Sequence, residues 1–126
     1  MNTTSEPTAL ADLLECFEQA LDEEILAIQD DLGRRGIGQP VQATGGHEVD
    51  VDVVGFAYDW TLPPGRYVIR PDDAVRVAAR DADALGFVTR WDPASRGIRI
   101  NMTEWLGRLA GPAELTFDPT WLLSAL

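Results

Sequence analysis

Few residues in this sequence are of the kinds that do covalent chemistry. The one cysteine is Cys16 and the one histidine is His47. A thiolate beside an imidazole would be a nucleophile with its base. Cys16, however, falls at the edge of an apolar helical stripe beside Ala20 and Ala27, where a small packed residue is expected. His47 stands in TGGHE at a strand entrance, the place of a surface turn residue. A zinc site draws on several Cys or His ligands, so no such site is expected. Glu48, Asp50 and Asp52 alternate on one strand face, and hard cations take carboxylate oxygens. The calcium loop's central glycine and closing glutamate are missing, and a charged, solvent-facing strand is the better reading. Gly33, Gly36 and Gly38, with Arg34 and Arg35, resemble a phosphate cradle in composition. Such a cradle works at a helix N-terminus, whereas this loop follows a helix C-terminus, where the two arginines offset the negative end of the dipole. All ten basic residues are arginine, so a lysine Schiff base is excluded. No catalytic, cofactor-binding or metal-binding residue is assigned, and a non-enzymatic protein is expected.

The charge pattern points instead to surface recognition. The 126 residues carry 21 acids and a net charge of −11. Such a charge opposes direct binding to nucleic acid or anionic lipid and suits a basic protein partner. Residues 1–32 hold nine acids and no base. At 100° per residue, Asp12, Glu15, Glu18, Asp22, Glu23 and Asp30 lie opposite the leucines of the same segment. Neighbouring like charges cost an isolated helix about 0.2–0.5 kcal/mol per pair, so local helix stability does not explain them. A solvated face that keeps the protein soluble is one account. The other is a docking face, with carboxylates standing where a nucleic-acid-binding protein expects phosphates. Leu26 projects from the acidic side as an anchor. Of the four tryptophans, Trp91 and Trp105 are expected in the core, and Trp60 and Trp121 at the surface. The expected partner-binding set is therefore Asp12, Glu15, Glu18, Asp22, Glu23, Leu26, Asp30, Trp60 and Trp121.

Residues 66–108 reverse the balance, with eight arginines against six acids. Arg66, Arg70, Arg76, Arg80, Arg90 and Arg99 fall in predicted strands and alternate with apolar residues. Alternation would gather them on one sheet face. They would meet cross-strand acids and solvent there, or form, with Tyr58 or Trp60, a site for an anion or small ligand. Opposite charge on the two halves also permits self-association without requiring it.

The elements that must position these residues follow from periodicity. Leu10, Leu13, Leu14, Phe17, Leu21, Ile25, Ile28 and Leu32 recur at steps of three and four, predicting a helix over 7–32. Gly33 suits the left-handed position past its end. Residues 33–46 read as a loop. Val49, Val51 and Val53, then Val54, Phe56, Tyr58 and Trp60, predict strand with a bulge near Gly55. Further strands are expected over 66–70, 75–80, 85–91, 98–102 and 114–117, although Pro71, Asp72 and Asp73 also suit a helix start, so that 74–80 reads as strand or helix. Short helices are expected over 104–110 and after Asp118. The predicted fold is a single two-layer α+β domain over 1–126, with residues 1–6 outside the folded body. In it a long N-terminal amphipathic helix packs on an antiparallel sheet of five or six strands. The N-terminus lacks the basic start and apolar core of a secretory signal, and a cytoplasmic protein is the expectation. The size and acidity are those of bacterial inhibitors, immunity proteins, secretion chaperones and nucleic-acid mimics as classes. That likeness is compositional, and no motif carries it.

Overall fold

The computed structural model describes residues 5–50 and 55–117. Helix α1 spans Ser5–Arg34 and is followed by six strands: β1 Val41–Val49, β2 Phe56–Thr61, β3 Ala74–Ala79, β4 Ala82–Asp92, β5 Gly97–Met102 and β6 Ala113–Thr116. All six pair antiparallel and close into a barrel in the order β1-β2-β5-β4-β3-β6. Strands β3, β4 and β5 follow one another, and β6 returns beside β3, which is a Greek key.

The closed barrel overturns the expected two-layer arrangement. Val75, Val77 and Ala79 on β3, Ile98, Ile100 and Met102 on β5, and Tyr58 and Trp60 on β2 are all buried in one core. Each strand has one apolar side, and curling the sheet buries those sides against each other without a covering helix. Closure also leaves no unpaired strand edge. No Cα of a described strand lies within 8 Å of a Cα of α1.

Several boundaries move for identifiable reasons. β1 begins at Val41, inside the expected loop, because Gly45 and Gly46 are carried within the strand at φ of 102° and 88°. Residues 49 and 57 then face each other across a hairpin, so β1 and β2 are two strands rather than one bulged strand. The bulge lies at Gly46 instead of near Gly55. Residues 66–70 form no strand, since the Val68 N–H bonds to the Arg35 carbonyl. Gly36, not Gly33, takes the left-handed position after α1, and Ile37 N–H closes the end on the Leu32 carbonyl.

The helix expected over 104–110 is absent. Its backbone groups are engaged elsewhere: Leu106 N–H bonds to the Tyr58 hydroxyl, Ala110 N–H to the Gly46 carbonyl, and the Arg108 carbonyl accepts from Glu48 N–H. This segment lies along the part of β1 that β6 does not reach. Trp105, expected in the core, is consequently 58% exposed, with its Nε1 donating to Glu48 Oε2 at 3.3 Å. The final helical turn after Asp118 and Trp121 lies outside the described residues. No helix among the described residues is long and apolar enough to cross a membrane.

Candidate functional site

Among the described residues, helix α1 is held to the barrel only at its C-terminal end. Leu32 belongs to the barrel's core, and Ile28 packs against it. Arg35, just past the helix, is buried. Its guanidinium is ion-paired with Asp73, and its Nε donates to the Val68 carbonyl at 3.0 Å. The Val68 N–H returns a bond to the Arg35 carbonyl at 2.8 Å. Arg35 therefore does more than offset the helix dipole, because it clamps the helix end to the loop before β3. Arg34, in the last turn of α1, pairs with Asp30 at 2.6 Å.

Towards the N-terminus the same apolar stripe emerges from the protein. Leu21 and Ile25 are half-buried. Leu10, Leu13, Leu14 and Phe17 are 55–67% exposed. Thirty residues at 1.5 Å each make a helix about 45 Å long. The expectation that these leucines hold the sheet is corrected: among the described residues nothing covers them. Cys16 lies on this exposed stretch and His47 on β1, so the two do not form a dyad.

The carboxylates of this helix are exposed as well. Asp12, Glu15, Glu18, Asp22 and Glu23 form no ion pair among the described residues, whereas Asp30 and Asp31 meet Arg34 and Arg35. Leu26 is 65% exposed among them. The structure thus puts Asp12, Glu15, Glu18, Asp22, Glu23 and Leu26 on one projecting element, with Asp30 at its base. Trp60 does not join them. It is 1% exposed inside the barrel, where its Nε1 donates to the Gly111 carbonyl at 2.9 Å. At the foot of the helix, a groove of about 420 Å³ is lined by Ala27, Ile28, Leu32, Ala74 and Phe117 together with the charged Glu24, Asp31, Arg35 and Asp73.

Three of the eight arginines of 66–108 have a side-chain hydrogen-bond or ion-pair partner among the described residues. Arg76 pairs with Asp83 across the β3–β4 hairpin, its Nε donating to Oδ1 at 2.7 Å. Arg99 grips Asp59 with Nε at 2.8 Å and Nη2 at 3.1 Å. That bidentate bond raises the affinity of Arg99 for its proton. Arg96 Nε caps the Leu62 carbonyl at 3.0 Å. Arg90 has no ion pair among the described residues.

The bare stripe was missed because periodicity marks an apolar face without naming what covers it. One signal was available. A strand of six residues spans about 20 Å, whereas the stripe from Leu10 to Leu32 runs about 33 Å along the helix, well beyond the end of a strand of that length. The chain matches no protein-family model, no curated protein and no solved structure. The geometry alone carries the functional reading.

Proposed function

We propose that this protein is a non-enzymatic protein-binding module that docks a basic partner through the projecting part of α1. The observation that supports this most directly is the exposure of Leu10, Leu13, Leu14 and Phe17 along one helical ridge. An isolated helix of this kind is marginal in water, and helices draw most of their stability from packing an apolar face. A helix laid into an apolar groove is a common recognition mode, with anchors at three- and four-residue steps. The carboxylates on the side of the helix away from this ridge favour a partner that carries lysine or arginine beyond the groove itself. Charge of this kind speeds encounter and selects the partner, while the apolar anchors hold the complex. The same face could stand in for phosphates on a nucleic-acid-binding protein. Pairing of two α1 helices is disfavoured, because each brings nine acids and no base over residues 1–32.

The test begins with co-purification from the native cell at low salt and identification of what is bound by mass spectrometry. Binary affinity is then measured with purified components. Phe17→Glu is expected to weaken binding at least tenfold. Reversal of Glu15, Glu18 and Asp22 to lysine is expected to weaken it and to flatten its dependence on salt. Unchanged affinity in both variants would refute the reading. So would sedimentation showing a stable dimer of this chain that Phe17→Glu dissolves.

A further inference from the structure

Four side chains form one row across the outside of the barrel. His47 on β1 is opposite Asp59 on β2, Asp59 is opposite Arg99 on β5, and Arg99 is opposite Arg90 on β4. Both ends of this row are set by bulges. In β1, Gly45 faces Trp60 and His47 faces Asp59, so Gly46 is the inserted residue. In β4, Val88 faces Ile100 and Arg90 faces Arg99, so Thr89 is the inserted residue. Simple alternation would turn positions 47 and 90 to the same side as Gly45 and Val88, towards the core. One extra residue in each strand turns both outward, and bulges recur where a strand must re-aim a side chain.

The row carries unspent hydrogen-bonding capacity at its arginine end. A guanidinium has five N–H groups. Two of those on Arg99 bond to Asp59, leaving the others to reach elsewhere. The carboxylate closest to Arg90 in sequence, Asp92, is used by its own turn: Oδ2 accepts the Ser95 hydroxyl at 2.8 Å and Oδ1 the Ala94 N–H at 3.1 Å. Those bonds hold the Asp92 carboxyl below its ordinary pKa, with Arg90 a lesser contributor. Like charges directly opposite on paired strands destabilise the sheet. Asp59 already offsets the charge of Arg99, whereas an anion between the two guanidiniums would pair Arg90 as well and accept charge-assisted bonds from both.

There is room for one. A groove of about 430 Å³ runs along the row, and its remaining lining includes Thr61, Ser95 and the Asp92 carboxylate that Ser95 holds. That volume is in the range of small-molecule sites. No residue of α1 lines it, so it is independent of the docking helix.

We propose that this groove binds a small molecule through a phosphate or carboxylate group held between Arg90 and Arg99. His47, Thr61 and Ser95 face the remainder of the ligand. The test uses the full chain, titrated at constant ionic strength with inorganic phosphate and, separately, with acetate. The ¹⁵N–¹H resonances of the Arg90 and Arg99 Nε groups provide the readout. At least one anion is expected to shift both resonances to saturation. Arg90→Gln is expected to raise its Kd about tenfold or more, the loss that a hydrogen bond to a charged group carries. Arg90→Lys should restore part of the affinity, and Arg66→Gln, on the exposed loop before β3, should leave it unchanged. Saturation by phosphate alone assigns the site to phosphate esters, and saturation by acetate alone to carboxylates. Shifts that stay linear with both anions overturn the proposal, as does an unchanged Kd in Arg90→Gln.

Discussion

The Tyr58 hydroxyl accepts the Leu106 N–H at 2.8 Å and donates to the neighbouring Gly107 carbonyl at 2.5 Å. This fully buried phenol thereby ties the irregular segment before β6 to the barrel. Tyr58→Phe leaves two backbone groups without that partner. It is expected to cost about 1–3 kcal/mol in urea unfolding and to speed hydrogen exchange at the Leu106 amide.

The same phenol predicts an alkaline limb. Burial raises the Tyr58 pKa above 10.0, the Glu48 charge adds to the rise, and the Leu106 N–H works against it. The folded state therefore holds this proton more tightly than the unfolded chain. The resulting stability is whole below about pH 10 and is lost as pH rises through the higher folded value. Urea midpoints measured across this range should fall more steeply for the native sequence than for Tyr58→Phe.

Two glycines with the same φ separate backbone strain from collision. Gly46 and Gly107 both sit at 88°. A Cβ on Gly46 would lie 2.4 Å from the Gly111 carbonyl oxygen, while one on Gly107 meets nothing within 4 Å. Gly107→Ala should cost only the left-handed strain, about 1–2 kcal/mol. Gly46→Ala must also displace the Gly111 backbone and should cost clearly more. Thermal unfolding of the two variants side by side checks the order.

Helix α1 should respond unevenly to substitution along its length. Leu14→Gln and Phe17→Gln act on exposed side chains and should change barrel stability by less than about 0.5 kcal/mol. Leu32→Ala empties a core position and should cost about 2–5 kcal/mol. Equal losses at both ends in urea unfolding would mean that the N-terminal stripe is covered in the free protein.

The Arg76 hydrogen bond holds the Asp83 carboxyl below its ordinary pKa, with the Arg76 charge acting in the same direction. Stability from this pair is present above about pH 4 and is lost as pH falls through the lowered folded value. In an NMR titration Asp83 should protonate below the usual aspartate range. Arg76→Gln should return it towards that range.

Much of the local structure was legible. The apolar spacing marked α1, and the alternation of Val75, Val77 and Ala79 favoured strand for β3, while the proline and aspartates before it suited a helix as well. The failures share a cause. Segment 104–110 has helical composition, yet its N–H and C=O groups bond to Tyr58 and β1, partners far away in sequence. Trp60 stands beside a turn, which suggested the surface, but its indole N–H is satisfied inside the barrel by Gly111. Thr89 carries no sign of a bulge, although its insertion decides which way Arg90 points.

By itself the sequence determined that a long amphipathic helix precedes a set of short strands, and that the helix is acidic on the side away from its leucines. These are properties of backbone period and residue order, which operate within a few residues. Only the tertiary structure decided that the sheet closes on itself and leaves the N-terminal leucines bare, and that Arg90 stands against Arg99. An apolar stripe requires burial but does not specify its cover, and a single inserted residue reverses a strand's faces. Both choices depend on contacts between segments distant along the chain.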